Sequence, residues 1–434
     1  MTNKLISRKL SRRDLFKLGG QAALAVGLAG GVFSTLARLN PLQAAPLRPG
    51  RPPLLMAPPA RPSVAATYRH LAATDGFISL PGRRLSDDNG VYVFGFAEAP
   101  LPSPGNISTT VNAKGQVTLP APIFGFNEDD DVYITLTNVG LVVRPDLDDS
   151  HTIHWHGFRN PNSIFDGVPE VSIAVPVARD FAFYYKPRDP GTYMYHCHFE
   201  DVEHVQMGMD GIVFVRPAGH AKWAYNDAST EFDREFTLLL NEVWTKAHDN
   251  LASIQENIWT DYKPDYWVIN GRSYPDTILR DQELPGSDFD RGPTLDPTLR
   301  YSQPVSSLIQ VNSGDRVLLR FANLGYEQNA MQLPGLRMKV VGEDAVFLGQ
   351  NSYETNTIYM GPGEARDVLF TAPAFVGPGE PSDGVGPHNI YWLKNHNYHY
   401  LTNGGATGLG GQVTQVRVYP AGTLPAQTGP NKTF

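Results

Sequence analysis

The chain is poor in the residues that define several classes of protein. It has one cysteine among 434 residues, Cys197, so no internal disulfide forms and the thiol is free for other chemistry. Only 18% of the residues are charged, and the formal net charge is −8. An acidic chain lacks the basic surplus with which proteins bind nucleic acids or anionic membranes. We therefore expect no nucleic-acid partner.

Glycine and proline, in contrast, are abundant, with 41 and 36 residues, and aromatic residues make up 11% of the chain. This composition is typical of a globular, turn-rich protein rather than of a coiled coil or a disordered chain. A chain of this length has room for two or three domains with substantial cores. The composition therefore predicts an all-β fold.

Residues 1–45 have the features of an export signal. The segment Ser-Arg-Arg-Asp-Leu-Phe-Lys at 11–17 resembles a twin-arginine signal, and a glycine- and alanine-rich apolar stretch follows at 18–36. We expect export by this route to the periplasm or the cell exterior. An uncleaved membrane tether is the alternative, because the stretch is barely long enough to span a bilayer. A proline-rich linker at 46–63 follows, and without residues 1–45 the net charge falls to about −14.

A strand pattern in the body of the chain returns after 185 residues. Residues 130–140 alternate apolar and other side chains and end in Asn-Val-Gly, and residues 315–325 repeat the pattern and end in Asn-Leu-Gly. Such alternation before a turn is typical of a half-buried strand. The repeat predicts two tandem β-sandwich domains, at 64–218 and 232–421.

The single cysteine lies among residues that favour copper. The ligand-type side chains around it are His151, His154, His156, His196, His198, His204 and Met209. A thiolate, two imidazoles and a weakly bound thioether are the ligands of a type 1, blue-copper electron-transfer site. A buried cysteine that only packs as a small hydrophobic residue is the alternative, and the density of other ligand-type residues argues against it.

Side-chain alternation along a strand divides these residues between two metal sites. In an extended chain, Cys197 points to one face and its two neighbours to the other, and the same rule separates His151 from His154 and His156. The first site, a type 1 copper, would then use His151, Cys197, His204 and Met209. The second would use His154, His156, His196 and His198. A β-bulge next to the site would break this division.

These segments resemble the multicopper oxidase and cupredoxin superfamily, whose members carry a His-Trp-His-Gly segment and a His-Cys-His segment followed by His and Met. Residues 262–267 and 269–275 also resemble second-domain sequences of such oxidases. The resemblance implies two tandem cupredoxin-like Greek-key sandwiches with type 1 plus type 2 and/or type 3 copper. It also implies a copper-dependent oxidoreductase whose donor is phenolic, a metal ion or a small redox protein, and whose small acceptor is dioxygen.

The number of histidines limits this resemblance. Of the 12 histidines, three fall outside any ligand pattern and two serve the first copper, which leaves one fewer than the usual three-copper cluster takes. In the second domain, the segment at 154–157 corresponds to 332–335, which offers no ligand. The segment at 196–198 corresponds to 396–398, which keeps one histidine. Only the first domain is therefore expected to bind a type 1 copper.

Copper nitrite reductases offer a second resemblance. These are trimeric two-domain cupredoxins whose second copper lies between subunits, and His156, His196 and His396 match its three histidines. The resemblance implies a homotrimer in which His396 contributes to the second site of a neighbour. His154 and His198 are the candidate catalytic residues there.

The match to nitrite reductases fails at the residues that act on nitrite. The catalytic aspartate of that family is replaced by His154, and its catalytic histidine falls near Arg337. Nitrite reduction is therefore the alternative function, and a non-enzymatic copper electron carrier is a third. Glu200, Asp201 and Glu203, between the ligands His198 and His204, form either a solvated loop or a site for a cationic reductant.

Overall fold

The computed structural model describes residues 66–87, 89–101, 108–284 and 302–434. The predicted export signal at 1–45 and the linker at 46–63 lie outside these residues. The described residues form 20 strands, three short α-helices and several single 3₁₀ turns. None of the helices found in these ranges has the length and apolar character needed to cross a membrane.

The first sandwich consists of two four-stranded sheets, ordered β2-β1-β4-β6 and β3-β8-β7-β5. Its core is rich in aromatic residues, and Trp155, Phe183 and Tyr195 are buried between the sheets. Its elements are β1 (Thr67–Ile78), β2 (Val91–Glu98), α1 (Ser108–Val111), β3 (Phe124–Asn127), β4 (Val132–Asn138), β5 (His154–His156), β6 (Arg179–Tyr185), β7 (Gly191–His196), α2 (Asp201–Met207) and β8 (Asp210–Arg216).

The second sandwich has one sheet ordered β10-β9-β12-β18-β14-β15, with β16 beside β14, and one ordered β11-β20-β19-β13-β17. Its elements are β9 (Arg234–Val243), α3 (Thr245–Ala252), β10 (Tyr266–Ile269), β11 (Ile309–Asn312), β12 (Arg316–Asn323), β13 (Asn329–Gln332), β14 (Met338–Glu343), β15 (Val346–Phe347), β16 (Tyr353–Thr355), β17 (Thr357–Met360), β18 (Ala365–Thr371), β19 (Asn389–Asn395) and β20 (Val413–Tyr419).

The repeated pattern occupies the same place in each sandwich. β4 pairs parallel with β1 and antiparallel with β6, and β12 pairs parallel with β9 and antiparallel with β18. Alternation in the pattern follows burial, because every second residue of β4, from Val132 to Asn138, faces the core. The predicted all-β fold of two tandem sandwiches is confirmed.

The strand registers correct one predicted equivalence between the sandwiches. In the β7–β8 ladder His196 pairs with Asp210. The corresponding pair in the β19–β20 ladder is Lys394 with Val413. β8 and β20 are equivalent because each pairs parallel with the preceding edge strand of its own sheet. The segment equivalent to the His-Cys-His motif therefore begins at Lys394, and the prediction of 396–398 was wrong by two residues.

Asn395 accordingly takes the position of Cys197 in the second sandwich. Its side chain is buried, and Nδ2 donates to Asn329 Oδ1 at 2.9 Å and to Gln412 Oε1 at 2.8 Å. A hydrogen-bonded amide thus fills the place of the thiol, and this sandwich has no sulfur ligand there.

The two sandwiches pack against each other on the sheet that carries the histidines. Met194, Ile212 and Phe214 of β7 and β8 form one buried cluster with apolar side chains of β9, β12 and β18. Burial of such a cluster contributes about 25 cal/mol per Å² of apolar surface removed from water. The second sandwich therefore packs directly against the strands that carry the histidines.

Candidate metal centres

The first cluster forms where β7 ends. Sγ of Cys197 lies 3.8 Å from His151 Nδ1 and 3.3 Å from His204 Nδ1. All three side chains are buried, and their ligand atoms lie within 4.8 Å of one another. One sulfur and two imidazole nitrogens around a common point are a donor set that suits copper.

Backbone groups hold the sulfur in place. The Thr152 N–H donates to Cys197 Sγ at 3.4 Å, which stabilises negative charge on the sulfur. The Cys197 N–H donates to the Met209 carbonyl at 3.0 Å, and Met209 N–H donates to the His204 carbonyl at 3.0 Å. Met209 is fully buried in the same core cluster as Cys197. The structure therefore brings together His151, Cys197 and His204, and it places Met209 beside them in the same buried core.

His204 turns its second nitrogen towards two carboxylates. Nε2 is buried and lies 3.8 Å from Asp149 Oδ2, too far for a hydrogen bond. Asp149, Glu200 and His204 each place one ligand atom within 4.8 Å of the others. Burial alone would lower the pKa of His204, but attraction to Cys197 and Asp149 outweighs burial and raises it to about 10. The carboxylates of Asp149 and Glu200, not the imidazole, give this edge of the first cluster its negative charge.

Sequence reasoning missed Asp149. It selected Glu200, Asp201 and Glu203 because they lie between two ligands, whereas Asp149 precedes His151 by two residues. Side chains two residues apart on an extended chain point to the same side, so Asp149 lies on the side of the ligand His151. This spacing is the sequence signal that could have identified Asp149. Of the three acidic residues selected from the sequence, Glu203 is half-buried, and burial raises its pKa.

The second cluster lies on the opposite face of the same strands. β5 pairs with β7 so that His154 lies opposite His196. The His154 ring centre lies 5.2 Å from that of His196 and 5.1 Å from that of His198, and the ring centres of His156 and His196 are 5.7 Å apart. The ligand nitrogens of His154, His156 and His196 lie within 4.8 Å of one another. The four predicted histidines therefore converge.

Burial keeps these imidazoles neutral. It lowers the pKa of His154 and of His156, and it lowers the pKa of His196 to about 3, with the neighbouring histidines adding to the effect on all three. The neutral ring is the form that binds metal. Nδ1 of His154 donates to the Asp166 carbonyl at 2.7 Å, and Nδ1 of His196 donates to the Cys197 carbonyl at 2.8 Å. Both rings are thereby oriented with Nε2 as the ligand atom.

The second sandwich approaches this cluster at Gly363. A Cβ on this residue would lie 3.3 Å from His156 Nε2, and its φ of +79° favours glycine. Glycine therefore keeps the His156 nitrogen accessible. His396, predicted as a further ligand, is exposed and lies near Gln332, with Nδ1 3.3 Å from Oε1. Within one chain, the structure does not bring His396 into the cluster.

Comparisons with known proteins give consistent results. Two family profiles, both described as multicopper oxidase, match residues 103–220 and 234–378. The chain is 24% identical to laccase-5 of Arabidopsis thaliana over 303 residues, which are 68% of this chain and 43% of that protein. It is 26% identical to copper resistance protein A of Pseudomonas syringae pv. tomato over 313 residues, 67% of this chain and 47% of that protein. The chain thus spans less than half the length of these relatives.

Solved structures share the fold at low sequence identity. The blue copper oxidase from Nitrosomonas europaea matches with a TM-score of 0.59 and 23% identity, over 82% of this chain and 86% of that chain. The copper nitrite reductase from the same organism matches with a TM-score of 0.54 and 17% identity, over 85% of this chain and 98% of that chain. The cupredoxin-like architecture is confirmed.

Proposed function

The chain belongs to the multicopper oxidase family, and from that premise we propose that it oxidises a donor at the first cluster and reduces dioxygen at the second. One observation carries the proposal. Cys197 faces the first cluster while His196 and His198, its covalent neighbours, face the second. With copper bound in both clusters, an electron would pass from the sulfur to the second cluster through the covalent bonds of Cys197 and one of its two neighbours.

The donor sets fit the metal that the family name implies. His151, Cys197, His204 and Met209 would hold a type 1 copper, and His154, His156, His196 and His198 would hold a type 2 and/or type 3 centre. Bound copper would supply reversible one-electron chemistry. The protein supplies the rest: buried, oriented imidazoles, which are neutral in the second cluster, and a sulfur whose charge a backbone N–H stabilises. His154 and His198 are the residues we place beside the acceptor.

We further propose that His396 completes the second centre of a neighbouring copy in a homotrimer. It is exposed and already oriented near Gln332, so binding it requires no unfolding. A site shared between different faces of successive copies needs a closed ring. Shared ligation would bring His396, which lies outside the second cluster of its own chain, to the second cluster of a neighbour.

The negative edge at His204 supports a cationic donor. Asp149 and Glu200 lie beside the buried Nε2 of His204, so a positively charged reductant is drawn to the ring that contacts the first cluster. We propose a reduced metal ion as this donor, and a phenolic donor is the alternative. Glu200→Gln should raise KM for ferrous ion several-fold and leave KM for an uncharged phenol unchanged. Equal effects on both donors would rule out a role for the charge.

Nitrite reduction is the second candidate function, because His156 and His196 have the placement that a three-histidine copper site needs. The deciding experiment loads the full chain with copper, counts copper per chain, and measures oxygen uptake with a donor against nitric oxide release from nitrite. Oxygen uptake with two or more coppers per chain is expected. Nitric oxide release alone would favour the alternative, and neither reaction in fully loaded protein would contradict both.

Export by the twin-arginine route to the periplasm or cell exterior is also part of the proposal. Its support is the arginine pair in 11–17 and the apolar stretch after it. Replacing Arg12 and Arg13 with lysine should retain the protein in the cytoplasm, as fractionation would show. Unchanged export would refute this route.

A further inference from the structure

The ligands His204 and Met209 depend on a short helix that lacks a side-chain cap at its N-terminus. α2 has seven residues, and the residue before it, Glu200, has a φ of 48° and offers no side-chain cap. A helix of this length is unstable in isolation. The position of α2, and with it that of His204, must therefore come from contacts with the rest of the chain.

A small cavity beside α2, at the contact with the second sandwich, has a mixed apolar and polar lining. It has a volume of about 20 Å³ and is lined by Gln206, Asp210 and Glu242 among others. In the part of the chain that the structure describes, Gln206 Oε1, Asp210 Oδ1 and Glu242 Oε2 are buried without a hydrogen-bond partner. Such a cavity has room for about one water molecule. Val205 and Met207 of α2 pack beside apolar side chains at this cavity, but its three oxygens without a partner leave the polar part of the contact incomplete.

Two hydrogen bonds to the second sandwich add to this packing and fix both ends of α2. Tyr326 Oη donates to the carbonyl of Val202, in the first turn of α2. Gln206 Nε2, in the last turn, donates to the carbonyl of Glu242 at 2.9 Å. His204 lies between these two anchors.

Tyr326 is itself firmly placed. Its backbone N–H donates to Glu242 Oε1, which also accepts from Tyr262 Oη at 2.9 Å and from Glu327 N–H at 3.0 Å. Gly325 permits this approach, because a Cβ there would overlap the Glu242 carboxylate. The rings of Tyr262 and Tyr326 have centres 5.3 Å apart. Hydrogen bonds to Glu242 therefore hold the loop from which the Tyr326 hydroxyl reaches α2.

We propose that Tyr326 is a positioning residue for the type 1 copper. Through its hydroxyl, the second sandwich fixes α2 and so the placement of the His204 imidazole and the Met209 thioether around Cys197. The inference rests on the proposed function, because it assumes copper at the first cluster. According to this proposal, the second sandwich, which supplies no ligand to the first cluster, influences the absorption band and the reduction potential of that copper.

The test compares Tyr326→Phe with a matched control, Tyr359→Phe. Both changes remove one tyrosine hydroxyl from the second sandwich, and the hydroxyl of exposed Tyr359 donates to Gln328 and not to a residue of α2. In copper-loaded full chain, Tyr326→Phe should shift the thiolate-to-copper absorption band, the copper hyperfine splitting and the reduction potential. Tyr359→Phe should leave all three unchanged.

Amide hydrogen exchange on the copper-free chain provides the second measurement. Loss of one hydrogen bond should speed exchange in residues 201–207 about fivefold in Tyr326→Phe alone. Faster exchange with an altered copper spectrum supports the proposal. Spectra and potential identical to wild type in coloured, fully loaded protein would overturn the positioning role alone. A colourless, fully loaded wild type would instead overturn the proposed function.

Discussion

Arg320 joins the two sandwiches through a buried charge network, and replacing it tests how that junction is stabilised. Its guanidinium has no exposed surface and lies 3.2 Å from Glu235 Oε2 and 3.3 Å from Asp367 Oδ1. Nη1 also donates to Thr192 Oγ1 at 3.2 Å. Because Thr192 lies in β7, the network connects the strand that leads to Cys197 with the second sandwich.

Arg320→Met would remove one positive charge from beside two buried carboxylates, those of Glu235 and Asp367. Breaking a buried ion pair from one side costs about 3–5 kcal/mol. The loss should be near the lower end, because Glu235 keeps its ion pair with Arg216 and Asp367 keeps hydrogen bonds from Thr192 and Tyr225. We expect the free energy of unfolding to fall by about 3 kcal/mol.

Urea unfolding of the copper-free chain, followed by tryptophan fluorescence, measures this loss. The control is Arg179→Met, which changes an exposed arginine on β6 and should alter stability by less than about 0.5 kcal/mol. Adding Asp367→Asn to Arg320→Met should restore part of the loss, because one unpaired charge is removed. The account is refuted if the single change costs no more than the control, or if the two changes simply add.

Two other outcomes concern Glu242 and His396. Burial raises the pKa of Glu242 from 4.5 to about 7, so the folded state keeps a proton that the unfolded state releases, and stability should fall as pH rises through that interval. Glu242→Gln should flatten this decline in the melting temperature, and an unchanged slope would contradict it. His396→Ala should reduce the copper content without changing the thiolate-to-copper band, whereas loss of the band would disprove the division of ligands.

The placement of the copper-motif residues follows from the sequence because it depends on local geometry. Alternation along the segments 151–156 and 196–198, which include parts of β5 and β7, separates Cys197 from its two neighbours and His151 from His154. The strand repeat is equally local, since burial of every second residue of β4 produces it. These patterns require no knowledge of the tertiary contacts.

Contacts between distant residues could not be read in this way. The bond from Tyr326 to Val202 and the pairing of Arg320 with Glu235 join segments whose relative position only the folded chain defines. The equivalence of 396–398 with the His-Cys-His motif was wrong for a related reason. The register of that segment depends on the pairing of β19 with β20, which the strand repeat alone does not define.

The central claim is that one thiolate and its two neighbouring imidazoles serve separate metal centres on opposite faces of one strand. Its most direct test is the visible spectrum and copper content of copper-loaded Cys197→Ser beside the wild type. The account predicts an intense thiolate-to-copper band in the wild type and its complete loss in the variant, with copper retained at the histidine cluster. A colourless wild type, or a variant that keeps the full band, would contradict it.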